Sequence, residues 1–207
     1  LTNFSLGYGL SFDTRKTGLN ESGGLLVKFD QDFSGLAGDI DATRTAVFAL
    51  AEKKVLNDAV SLRIIGEGGV YERTNGNTRL TERFFARGKL RGFENNGIGP
   101  RDLGADTDAL GGNYFASVRM ETDFPLGLPE EYGITGGAFY DMGSVWGLND
   151  TAGVKPVDDE FHLRSAAGVS LFWSTPIGPL RFNWSRAFEK QSYDRVQNFD
   201  LTLSTKF

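Results

Sequence analysis

The sequence predicts an all-β fold of antiparallel strands, and three observations carry that prediction. Apolar and polar residues alternate with period two through most of the chain. Gly (27) and Phe (17) are abundant and Pro is sparse (6), a composition suited to short strands and turns rather than to a helical bundle. The alternating stretches run about ten residues, the length of strands that cross a bilayer.

Taken in order, the first strand sets Phe4, Leu6, Tyr8, Leu10 and Phe12 against Ser5, Gly7, Gly9 and Ser11. The second sets Leu25, Val27, Phe29, Gln31 and Phe33 against Lys28, Asp30 and Asp32. A third covers 41–52, with less clear facing. The fourth has Val60, Leu62 and Ile64 opposite Ser61, Arg63 and Glu67. Short turns join them, at Thr17-Gly18, Gly35 to Gly38 and Asn57-Asp58.

Residues 74–112 break this rhythm. A loop that long is uncommon in a compact domain unless it is functional or disordered. Its centre, Phe84 to Phe93, is too aromatic for a linker and predicts a folded loop packed against something. Alternation resumes at 113–124, where Tyr114, Ala116, Val118, Met120, Thr122 and Phe124 oppose Ser117, Arg119, Glu121 and Asp123. The strand at 132–146 puts Ile134, Ala138, Tyr140 and Met142 on one side, Phe139 and Asp141 on the other. After a polar loop, 162–173 sets Leu163, Ala167, Val169, Leu171 and Trp173 against Arg164, Ala166, Gly168 and Ser170. Leu180, Phe182 and Trp184 then oppose Arg181, Asn183 and Ser185. Phe199, Leu201, Leu203, Thr205 and Phe207 close the chain. The count is about nine strands of membrane-spanning length.

Alternation alone leaves two architectures open. In a soluble β-sandwich or small binding barrel the apolar face is the core. In a transmembrane β-barrel it meets lipid, and the polar face lines a wet lumen. Two details favour the barrel. Opposite charges sit in mid-strand on one polar face (Arg119 beside Glu121 and Asp123), and aromatics fall near strand ends (Phe12, Phe124, Trp146, Trp173, Phe207), as interfacial girdles do.

Composition excludes several function classes. The longest clean apolar run, Ala46 to Ala51, is far short of the ~20 residues of a membrane helix. The net charge is −5 with no basic tract, which argues against nucleic-acid binding. With no Cys there are no disulfides, thiolate metal sites or Cys nucleophiles. His162, the single His, stands at a loop-to-strand boundary without metal-ligand or triad spacing. Gly97-Ile98-Gly99 and Gly111-Gly112 follow no strand-to-helix pattern and read as turns. Asp106 and Asp108 lack the spacing of a calcium loop and read as solvated acids. No catalysis, cofactor or metal is expected. The start at Leu1, without Met or a signal-peptide pattern, predicts a processed product or a fragment.

Five stretches, in one order along the whole chain, add a resemblance. They are Leu90-Arg91-Gly92-Phe93 with Glu94–Pro100, Gly35–Asp39, Gly111-Gly112-Asn113, Phe139–Trp146 and Trp173–Phe182. The first resembles the [V/I]-R-G-[F/Y] signature of the outer-membrane β-barrel assembly superfamily. Leu90 stands where the family usually has Val or Ile, and the loop lacks the Cys pair that some members carry.

The resemblance implies an antiparallel transmembrane β-barrel in the bacterial outer membrane, of about sixteen strands in the family with 8–9 present here. Residues 1–207 would then be the C-terminal part of the barrel, with 74–112 its long signature loop folded into the lumen. The earlier strands and the periplasmic POTRA domains would lie outside this chain. The implied function is non-enzymatic: folding and insertion of β-barrel proteins by strand templating at a lateral seam, with the lipid bilayer, unfolded outer-membrane clients and assembly-complex lipoproteins as partners. The alternative within the superfamily is a transporter of the two-partner secretion or translocation-assembly type.

The resemblance also assigns sites. Arg91 is expected to meet Glu121 and Asp141 on the lumen wall and pin the loop, with Gly92 at a close approach and Phe93 as anchor. Phe199, Leu201, Leu203 and Phe207 are expected to form the seam strand and its terminal assembly signal. The commonplace readings are a solvated loop Arg and one more girdle aromatic at Phe207.

Overall fold

The computed structural model of the chain describes residues 4–15, 23–35, 41–104, 107–151, 153, 156–176 and 178–203, with the backbone alone for Leu203. Nine strands form one sheet in chain order: β1 (Ser5–Asp13), β2 (Gly23–Ser34), β3 (Ala42–Val55), β4 (Val60–Arg73), β5 (Tyr114–Pro125), β6 (Ile134–Trp146), β7 (Arg164–Thr175), β8 (Gly178–Glu189) and β9 (Phe199–Leu203). Every neighbouring pair is antiparallel. Among the described residues the sheet is open, with β1 and β9 at its edges. The helical content among them is a single 3-10 turn, Glu130–Tyr132, and no helix is long and apolar enough to cross a membrane.

The alternation seen in the sequence sorts the faces as expected, and burial decides what they are. Leu6, Leu10, Ile64, Val169 and Leu201 point to one face and stay 52% to 63% exposed. Glu121, Asp141, Arg164, Ser170 and Asn183 point to the other and are buried. A soluble sandwich would show the reverse, because its core is the apolar face. The sheet is therefore the inside-out wall of a membrane barrel, apolar toward lipid and polar toward the lumen.

Register aligns the lumen face into rows. One row crosses seven strands: Leu26, Leu50, Ile65, Arg119, Asp141, Ala166 and Ala187. The adjacent lumen row brings Arg63, Glu121, Phe139, Gly168 and Ser185 into line. Leu26, Leu50 and Ile65 are apolar yet face inward, where they form a buried cluster with Phe48 beside it. At β7–β8 the pairing jumps between Ser165 and Ala166, a bulge that leaves Phe188 unmatched.

Connections alternate between the two rims, as they must in a meander. Residues 56–59 and 126–133 turn at one rim. The first uses Asn57 and Asp58 at φ 58° and 66°, a left-handed geometry those side chains tolerate. The long connections 74–113, 147–163 and 190–198 gather at the other rim and carry the site.

Candidate functional site

The loop 74–113 is tied down from its stem inward. Asn149 Oδ1 accepts from Thr78 N (3.1 Å) and Oγ1 (2.6 Å). The Arg83 guanidinium donates to three carbonyls, those of Leu110, Thr78 and Asp150. Five donors on a rigid fork suit it to bracing irregular backbone in this way. An antiparallel bridge, Phe84 to Gly112, closes the stem.

Beyond the stem the chain enters the lumen and packs there. Ala86, Leu90, Phe93 and Ile98 of the loop bury against Phe115 of β5, Val145 of β6 and Ala166 of β7. Inward-facing Phe115 and Val145 thus belong to a dry core shared by loop and wall. Arg101 holds the tip, its guanidinium donating to Thr107 O and Asn96 O at 2.6 Å each.

Arg91 sits at the centre. Its Nε donates to Asp141 Oδ2 (2.7 Å) and its Nη2 to Asp141 Oδ1 (2.6 Å), a bidentate fork. Its backbone N–H adds a third bond to Oδ2 (3.0 Å). Nη1 lies 2.8 Å from Glu121 Oε1, a charge contact outside hydrogen-bonding alignment. The guanidinium carbon stands 3.7 Å over the Phe139 ring, at cation–π distance. Asp141 is fully buried and Glu121 nearly so. The structure thus brings Arg91, Glu121 and Asp141 together, with β5 and β6 presenting the two acids in adjacent lumen rows.

Alternation put the other members of this cluster on the right face but did not pair them. Arg63 of β4 binds Glu121 (2.9 Å) and Asp123 (2.6 Å), and Arg181 of β8 reaches Glu121 at 3.4 Å. Three guanidiniums and three carboxylates therefore neutralise one another, the condition under which buried charge is tolerated. The signal for Arg63 was its register opposite Glu121, which a sequence without pairing does not show. Beside this cluster, Glu67 is shared by Lys89 of the loop and Arg119 of β5.

Gly92 adopts φ +90°, and a Cβ there would lie 2.7 Å from Ala166 Cβ. Phe93 is buried in the shared core and bridges to Val196. Phe199 and Leu201 are exposed on the lipid face of β9, with Phe199 5.5 Å from the Trp184 ring. Leu203 pairs with Leu180. Phe207 lies outside the described residues, as does Asp106. Asp108 is exposed.

At the loop rim, His162 Nε2 meets Asp158 Oδ2 at 2.9 Å, and Tyr193 OH donates to the same oxygen at 3.1 Å. No group of His, Cys, Asp and Glu among the described residues could hold a metal ion. Burial, with the Asp158 charge adding to it, pushes the Tyr193 phenol up to about 12. Burial also raises Asp158, but hydrogen bonds from His162, the Glu160 N–H and Tyr193 outweigh it and hold the carboxyl below its ordinary value. A raised phenol stabilises the folded rim below its ordinary 10.0 and loses that contribution as pH climbs toward 12. The lowered carboxyl contributes above its ordinary 3.8 and fades as pH falls below it. The protection of the amides in 190–198, corrected for the intrinsic pH dependence of exchange, is therefore expected to stay flat between these limits and fall outside them. Tyr193→Phe should remove the alkaline limb; an unchanged limb would reject Tyr193 as its source.

The sequence profile of the Omp85 superfamily domain matches residues 1–207. The chain is 32% identical over 182 residues to the outer membrane protein assembly factor BamA of Neorickettsia risticii, covering 87% of this chain and 24% of that protein. It is 28% identical over 166 residues to BamA of Neisseria meningitidis, covering 69% of this chain and 21% of that one. The crystal structure of Haemophilus ducreyi BamA lacking POTRA domains 1–3 superposes with a TM-score of 0.82 at 19% identity, over 99% of this chain and 42% of that one, a likeness of fold. The chain spans about a quarter of the length of these curated relatives. With the family profile matched from end to end, an inside-out sheet and a loop pinned in its lumen, the chain belongs to the Omp85 superfamily as part of an outer-membrane β-barrel.

Proposed function

We propose that this chain is the loop-bearing, C-terminal part of a barrel that folds and inserts other β-barrel proteins into the outer membrane. The observation that supports this most is the signature loop held inside the wall by Arg91 between Asp141 and Glu121. In that role Arg91, Gly92 and Phe93 with Glu121 and Asp141 hold the loop in place and do no covalent chemistry. The two longest connections, 74–113 and 147–163, share one rim, which suits the outer side.

The working edge in this reading is the β9 seam, with Phe199, Leu201, Leu203 and Phe207. Among the described residues β9 pairs along one side only, with Leu180–Trp184. A strand edge with unpaired N–H and C=O groups is a template for an incoming strand. The driving force comes from the client, whose strands pair and whose apolar face becomes lipid-solvated. Unfolded outer-membrane proteins, the bilayer and assembly lipoproteins are the partners this reading implies. The polypeptide-transporter reading has no comparable support, since the two BamA relatives are assembly factors.

The test is a seam lock in the full-length protein. Leu201→Cys, joined by a disulfide to a cysteine on the strand facing β9, is expected to abolish insertion of an unfolded barrel client into vesicles. Reduction should restore it. This chain has no native Cys to complicate the pairing. Full insertion with the seam locked would reject strand templating there.

A further inference from the structure

We infer that Arg164 is a positioning residue. Through Asp194 it fixes the β8–β9 connection, and that connection holds the signature loop on one side and starts the last strand on the other. The inference rests on the proposed seam function, because it concerns how the loop and the seam strand move together.

Arg164 opens β7 with its side chain 1% exposed, and the Asp194 side chain is 0% exposed. They form a second bidentate pair: Nε to Oδ2 at 3.0 Å and Nη2 to Oδ1 at 3.1 Å. Nη1 donates to His162 O (2.8 Å) and Nη2 also to Tyr193 OH (3.3 Å). Asp194 Oδ2 in turn accepts from Gln191 N at 2.7 Å, which closes the turn of the connection. No member of this group bonds to the Arg91 cluster. A charge pair this deep, away from the loop lock, is costly to bury unless its geometry is used.

The backbone just past Asp194 puts that geometry to use. Arg195 O accepts from Glu94 N (3.0 Å), Arg195 N donates to Gly97 O (2.9 Å), and Gln197 N donates to Gly92 O (3.0 Å). Phe93 and Val196 form the antiparallel bridge between them. Asn198 O accepts from Ser185 N, and β9 begins at Phe199. The loop is therefore held twice, by side chains to β6 and by backbone to the connection. Shifting the connection to re-pair β9 must either carry residues 92–97 along or break these bonds. Two elements sharing one strip of backbone have their equilibria linked in this way.

The test uses the full-length protein. Arg164→Lys keeps the charge and loses the fork; Asp194→Asn keeps the shape and loses the charge. A heat-dependent mobility shift on a cold gel identifies folded barrels. In these, protease cleavage within 74–113 is expected to rise about tenfold or more, and client insertion to fall, with the Arg91 cluster untouched. Glu94→Cys with Arg195→Cys adds a bond between two exposed residues already joined by the Glu94 N to Arg195 O hydrogen bond. Its oxidation in the Arg164→Lys background is expected to restore both loop protection and insertion. A residue that merely stiffens the wall would not be replaced by a bond placed there. If Arg164→Lys fails to fold, Asp194→Asn carries the test. If neither gives the shifted band, the pair supplies wall stability and the inference is overturned. It is overturned too if the loop keeps wild-type protection in folded variants, or if oxidation leaves it exposed. Loss of insertion in Arg91→Ala alone, with the loop still protected in both Arg164→Lys and Asp194→Asn, would sink this coupling and leave the seam reading standing. Loop release that oxidation reverses, with insertion unchanged throughout, would do the opposite.

Discussion

Arg91→Ala is expected to free the signature loop from the lumen wall, shown by protease cleavage within 74–113 of a barrel that still gives its cold-gel band. The charges left behind set the magnitude. Asp141 is 0% exposed and would lose the bidentate fork, and Glu121 would keep Arg63 and Arg181 but lose its Arg91 contact. Removing one partner of a buried pair costs about 3–5 kcal/mol, because the other charge stays behind without its mate. The docking equilibrium should therefore shift by about a hundredfold or more. A sharper form of the same prediction uses apolar replacements. Arg91→Met alone strands Asp141; Arg91→Met with Asp141→Leu removes both charges and should re-protect much of the loop. A double variant as exposed as the single one would show that packing, not uncompensated charge, sets the docking energy. Client insertion by the full-length protein should follow loop protection across this series.

Much of this arrangement was legible in the sequence, for a physical reason. A barrel wall meets lipid on one side and a polar lumen on the other, so each strand writes its orientation as a two-residue period. Glu121 and Asp141 were placed on the lumen face by parity alone, and the signature resemblance paired them with Arg91. The exceptions mark where another element covers the wall. Phe115 and Val145 break the polar pattern because the loop buries them, and Ile65 breaks it because it completes a cluster with Leu26 and Leu50.

Pairs between strands were not legible. Arg63 meets Glu121 only once the β4–β5 register is known, and Arg181 reaches the same acid from three strands away on β8. The loop's course was hidden more deeply. Its stays are guanidiniums on backbone carbonyls, as at Arg83 and Arg101, and backbone pairing to 195–197. Carbonyls are available at every residue, so no side-chain pattern announces such bonds. The Arg164–Asp194 pair joins a strand start to a distant turn, and neither residue stands in a motif.

Gly92→Ala is expected to undock the loop nearly as strongly as loss of the Arg91 charge, by two routes that can be separated. At φ +90° an L side chain is strained, at a cost of about 1–3 kcal/mol. The new Cβ would also stand 2.7 Å from Ala166 Cβ on a fully buried stretch of β7, with Ser185 Oγ at 3.6 Å. The wall cannot give way easily there, because Ala166 is held in register by β6 on one side and β8 on the other. Shaving the wall isolates the terms. Ala166→Gly removes the atom that clashes, so Gly92→Ala with Ala166→Gly should regain the steric share of the loss and keep the backbone share. Loop protection in the double variant should fall between wild type and the single variant. Complete recovery would assign the whole effect to contact with the wall and show that the turn at 92 accepts an L residue. No recovery would assign it to the backbone, and the glycine of the signature would then be a requirement of the turn that lets Arg91 face Asp141 while Gly92 O still accepts from Gln197.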